Sequence, residues 1–100
     1  MKDTPNSNDR TPEVELLKFY PFEVSAKRPR LLGYADVKID EIIIIRGIKL
    51  FEAKNGGLFI QLPAINQGGK DYPMVEIKSR TLLDRIRRKV VDYYKALENV

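Results

Sequence analysis

Neither cysteine nor histidine occurs anywhere in the 100 residues, and tryptophan is absent as well. Without Cys there is no disulfide, no thiolate zinc site and no thiol nucleophile, and an intracellular setting, taken here as cytoplasmic, is the natural expectation. Without His the chain lacks the side chain that most often moves protons or binds transition metals near neutral pH. Carboxylates, lysines, tyrosines and hydroxyls remain, in no spacing that marks a reaction centre. The expectation is binding rather than catalysis, with no cofactor, no metal and no small-molecule substrate. No apolar run approaches the roughly 20 residues that span a bilayer. The opening Met1-Lys2-Asp3-Thr4-Pro5-Asn6-Ser7-Asn8 has no apolar stretch of the signal-peptide kind, so no membrane partner is expected.

A single domain of this length buries only about two-thirds of the surface its unfolded chain exposes, so a partner subunit would add useful stability. The net charge is +4, and its distribution is uneven. Residues 1–79 hold 12 Lys/Arg against 11 Asp/Glu, whereas residues 80–89 hold Arg80, Arg85, Arg87, Arg88 and Lys89 against Asp84 alone.

Residues 1–12 are polar, contain Pro5 and Pro12 and have no aliphatic residue after Met1. Such a segment cannot offset its ordering entropy and reads as a disordered tail ahead of a domain over residues 13–100. Residues 14–20 form a first strand candidate that Pro21 interrupts, and Lys27-Arg28-Pro29-Arg30 is a basic connection. Residues 34–40 alternate strictly, with Ala35, Val37 and Ile39 facing a core and Tyr34, Asp36, Lys38 and Asp40 facing water. The run Ile42-Ile43-Ile44-Ile45 does not alternate. Either both of its faces are covered or a local irregularity shifts its phase, and Gly47 is a candidate bulge. Asn55-Gly56 between two apolar strands is a hairpin signal, because both residues accept positive φ. Residues 64–73, with Gly68-Gly69, read as a flexible loop, and residues 74–78 as a short last strand. Ser79 caps a helix in which Leu82, Leu83, Ile86, Val90, Tyr93, Tyr94 and Leu97 fall within an arc of about 120° at about 100° per residue. Val91 falls outside that arc and is expected on the surface or against a partner. The fold class is α+β: a small antiparallel sheet of four to five strands with a C-terminal helix packed on it.

Two features bear on function. The helix arc turns Arg88 and Lys95 away from the sheet, with Arg80, Arg85, Arg87 and Lys89 flanking it. A surface of this kind neutralises phosphates and gives sequence-tolerant, salt-sensitive affinity for nucleic acid. It also serves as an ordinary solvated face, with Asp84, Arg88 and Asp92 paired at i,i+4. The isoleucines Ile42, Ile43, Ile44 and Ile45 are either a buried central strand or the seam of a homodimer. Tyr93-Tyr94 lie within the apolar arc, so core packing is favoured over base stacking.

Gly47-Ile48-Lys49-Leu50, then Asn55-Gly56 with Leu58-Phe59-Ile60-Gln61-Leu62-Pro63, a loop and a Tyr-ended basic helix form an order of parts that resembles the SpoVG family. The resemblance spans about residues 13–97, and Arg80, Ile86, Val90 and Tyr94 match the family's helix spacing. It implies an antiparallel sheet with a C-terminal helix, a homodimer joined through strands, and binding of DNA and possibly RNA in bacterial septation or sporulation control. The nucleic-acid contacts it implies fall on Arg80, Arg85, Arg87, Arg88 and Lys89. The chain departs from the family's usual pattern at Leu62-Pro63-Ala64-Ile65, in lacking a His-Pro before the helix, and in the additional Gly57. The alternative is a protein-interaction module in cell division that binds no nucleic acid.

Overall fold

The computed structural model describes residues 10–22 and 26–98. The tail expected over residues 1–12 lies outside the described residues up to position 9, and positions 10–12 precede the first strand without regular structure. Strands β1 (Val14–Pro21), β2 (Arg30–Ile39), β3 (Ile43–Glu52) and β4 (Leu58–Gln61) form one antiparallel sheet in that order. Strands β5 (Ala64–Gln67) and β6 (Lys70–Pro73) form a separate hairpin, and helix α1 (Arg80–Glu98) is the last described element. The expected α+β architecture, sheet plus C-terminal helix, is the one observed.

The β2–β3 connection turns at Asp40 and Glu41, both in the left-handed region at φ 53° and 60°, with Ile42 N donating to the Ile39 carbonyl at 2.9 Å. This primed turn matches the twist of the flanking strands but contains neither Gly nor Asn, so it leaves little trace in the sequence. Asp40 is held by Glu13, whose N–H donates to its Oδ1 at 2.9 Å. At the Asn55-Gly56 hairpin only Gly56 adopts positive φ, at 90°. The additional Gly57 lengthens the loop, and its N–H donates to the Asn55 side chain at 2.8 Å.

Between β4 and the helix, two sequence expectations need correction. Residues 64–73 are a β-hairpin, because Gly68 and Gly69 at φ 61° and 82° make the two-residue turn between Gln67 and Lys70. Residues 74–78 form no strand; Val75 and Ile77 are half-buried and pack beneath as irregular chain.

Helix α1 begins where Ser79 Oγ accepts the Leu82 N–H at 3.1 Å, which is the expected cap. Its buried side chains are Ile86, Val90 and Val91, whereas Tyr93 and Leu97 are 44% and 41% exposed. The inward face is therefore rotated from the expected arc toward Val91, which is buried and not on the surface. Val91 shares a groove with Leu58 at the β4 side, and one turn earlier Arg87 Nε donates to the Leu58 carbonyl at 3.1 Å. Phe19 meets Tyr93 and Tyr94 at ring distances of 5.9 and 6.2 Å, and burial raises the Tyr94 phenol pKa. Gly33 lets Phe19 lie flat on β2, since a Cβ there would sit 2.5 Å from the Phe19 ring. The core joins Val37, Ile48 and Leu50 of the sheet to Ile86 and Val90 of the helix.

Asp36, expected to face water, is 3% exposed. Its carboxylate accepts the Gly47 N–H at 3.0 Å, Arg46 Nη1 at 3.2 Å and the Tyr20 hydroxyl at 3.1 Å. Asp36→Ala leaves these donors without their acceptor and is expected to lower unfolding free energy by about 2–3 kcal/mol. The hydrogen bond to Asp36, with a smaller contribution from burial, raises the Tyr20 phenol pKa. Folding thus favours the protonated phenol, and its contribution holds below the ordinary tyrosine value and is lost as pH rises through the raised one. Urea melts should accordingly show wild type exceeding Tyr20→Phe at neutral pH, with the gap closing above about pH 10; a gap independent of pH would show that this bond is not coupled to folding.

Candidate nucleic-acid interface

The five cations of the helix cluster divide between its two flanks. Arg80 and Arg87 lie on the β4 side, where they line a shallow groove with Phe59 and Ile60. Arg85, Arg88 and Lys89 lie on the opposite flank, beside Thr81 and among the carboxylates of Glu13, Asp84 and Asp92. The helix thus brings its cations together in two groups and not as one outward stripe.

Arg88 donates to Asp84 at 2.9 Å, with side chains 71% and 53% exposed. An exposed i,i+4 pair is worth about 0.3–0.5 kcal/mol, so it leaves Arg88 free to exchange Asp84 for another anion. Arg80, Arg85 and Lys89 make no ion pair among the described residues. The first turn of the helix carries no acidic residue, and Lys78 and Arg80 flank the Ser79 cap. Arg80 thus adds to the positive end of the helix dipole, where an anion is favoured, while Lys78 is paired with Glu76 at 3.2 Å.

The isoleucine run divides as well. Ile45 is 6% exposed and joins the core, while Ile42, Ile43 and Ile44 are 78%, 52% and 47% exposed. Of the two readings open for the run, a strand buried on both faces is excluded for these three residues. β4 pairs with β3 only from Lys49 to Glu52, so the Ile43 end of β3 has β2 on one side and no strand on the other among the described residues. Beside that edge lies an apolar groove of about 580 Å³, lined by Ile43, Ile44, Val75, Ile77 and Leu82.

The sequence reading missed a further group. On the sheet face away from α1, the register sets Tyr20 opposite Tyr34, Tyr34 opposite Lys49, and Phe51 opposite Phe59. The i,i+2 alternation of Lys18, Tyr20 and Phe22 in one segment and of Lys49 and Phe51 in another was the available signal. Joining the two segments required the register. No helix among the described residues is long and apolar enough to cross a membrane.

Among known protein families, the SpoVG family model matches the chain over residues 14–96. No curated protein and no solved structure matches the chain. The matched span runs from the first residue of β1 into the last turn of α1, so it takes in every strand and nearly all of the helix. By that match the chain belongs to the SpoVG family.

Proposed function

We propose that this protein is a dimeric nucleic-acid-binding regulator that acts by binding and not by catalysis. Family membership suggests a regulator related to sporulation or septation. The observation that carries the nucleic-acid reading is the set of α1 cations that make no ion pair among the described residues, Arg80, Arg85 and Lys89, together with the weakly held Arg88. Backbone phosphates suit such a surface because they need only positive charge at roughly regular spacing, and counterion release supplies the affinity. Arg80 and Arg87 on one flank and Arg85, Arg88 and Lys89 on the other fit a helix that lies between two phosphate rows. DNA or RNA is the ligand this implies.

The dimer reading rests on the β3 edge that no strand among the described residues pairs, with Ile42, Ile43 and Ile44 outside the core. An exposed apolar edge invites pairing, and the same edge of a second copy would satisfy its backbone groups. Two copies would also double the cationic helices presented to one duplex.

Titration of labelled DNA at rising salt tests the helix. Arg87→Glu combined with Arg88→Glu should weaken binding alike for every sequence and flatten the log–log salt slope by about 2; unchanged binding removes α1 from the interface. Sedimentation equilibrium tests the seam. The wild-type mass should be twice 11.6 kDa, and Ile43→Glu with Ile44→Glu should return the single-chain mass; a wild-type monomer ends the dimer reading.

A further inference from the structure

Helix α1 covers one face of the sheet, and the other face carries rings and cations in ordered rows. One row runs Tyr20, Tyr34, Lys49 and Gln61 across the four strands. In the adjacent row Phe51 and Phe59 stack with centroids 5.3 Å apart and planes 14° apart. Phe22 meets Tyr34 edge-on at 6.3 Å, and Lys18 Nζ sits 5.0 Å over the Tyr20 ring. Tyr20, Phe22 and Phe59 are 41%, 49% and 42% exposed, so much of this aromatic surface meets water.

Around these rings the charge is one-sided, while Glu15, farther along the same face, is paired with Lys38 at 3.5 Å. Lys18 and Lys49 make no ion pair among the described residues. Asp36, the carboxylate in the next row, is buried and engaged by Tyr20, Arg46 and Gly47. The face therefore presents π surfaces interleaved with positive charge and no free carboxylate among these rows. An apolar protein partner would be met by aliphatic side chains without lysines between them, whereas stacked bases linked by phosphates complement both features. Bases inside a duplex hide their faces in the stack, so the complementary ligand is unpaired.

We propose that this open sheet face is a second binding site, which takes single-stranded nucleic acid by stacking unpaired bases on the Tyr20–Tyr34 and Phe51–Phe59 pairs, with Lys18 and Lys49 meeting the phosphates. It lies on the side of the sheet opposite α1, and only Phe59, at the β4 edge, also borders the groove of Arg80 and Arg87.

Fluorescence anisotropy with the full chain, a labelled oligothymidine and a duplex of equal length provides the test. Phe22→Leu with Phe51→Leu retains apolar bulk but removes ring faces that lie clear of the Arg80–Arg87 groove. It should weaken oligothymidine binding by a factor of about 10 or more and leave duplex binding and the melting temperature nearly unchanged. Phe22→Leu alone, at the more exposed of the two positions, gives the same reading in smaller measure should the double variant fold poorly. Lys49→Gln should lower the single-strand salt slope by about 1. Retention of full oligothymidine affinity by the leucine variants overturns the proposal, as does a wild-type chain that binds no oligothymidine. Equal loss for both ligands together with a halved solution mass overturns it too, since the face would then join two copies. Arg87→Glu with Arg88→Glu should weaken duplex binding more than oligothymidine binding, so failure of the helix reading and failure of this one are separable.

Discussion

Opposite Asp36, β3 carries Arg46 and Gly47 where β2 carries one residue, and the side chains on either side of that bulge turn to the same face. Ile45 and Ile48 both enter the core although they are three positions apart, an outcome a regular strand does not permit. The Asp36 carboxylate holds the irregularity in place: one oxygen takes the Gly47 N–H, while the other takes the Arg46 guanidinium and the Tyr20 hydroxyl. Gly47 supplies the positive φ of 78°, which an L side chain adopts only at a cost. Three strands are thereby tied at one point, and the phase of β3 is set on both sides of it.

Much of the surface follows from that phase. Pairing with β4 begins at Lys49, just beyond the bulge, so the Ile43 end of β3 is left as an edge. Ile43 and Ile44 then border an apolar groove in place of the core. On the far side of the bulge, Lys49 and Phe51 face away from the helix, in line with Tyr34 and Phe59. One sheet thus has a helix-covered face, an apolar edge and an aromatic, cationic face, each with a different partner chemistry.

The helix is placed by its neighbours as much as by its own pattern. Its apolar residues make an amphipathic segment unmistakable, yet Val91 is buried and Leu97 is exposed because Leu58 rises beside the helix and Arg87 is bonded to its carbonyl. The spacing of the cations along the helix sets them in two groups on its flanks. A periodicity argument treats the sheet as a flat plate centred under the stripe, and this sheet is not one.

Local chemistry alone determined several parts of the molecule: the Ser79 cap, the Asn55-Gly56 hairpin, the β2 alternation at Ala35, Val37 and Ile39, and the concentration of cations in residues 80–89. Those features depend on neighbours within a few positions, so the sequence contains all that is needed. Gly68-Gly69 was equally local but resembles a flexible linker unless both glycines are credited with positive φ. The primed turn at Asp40-Glu41, the burial of Asp36 and Val91, the exposure of Ile43 and Ile44, and the rows of rings on the open face were decided by tertiary structure. Each depends on which residues lie opposite one another across strands, and a single bulge changes that pairing for every residue beyond it.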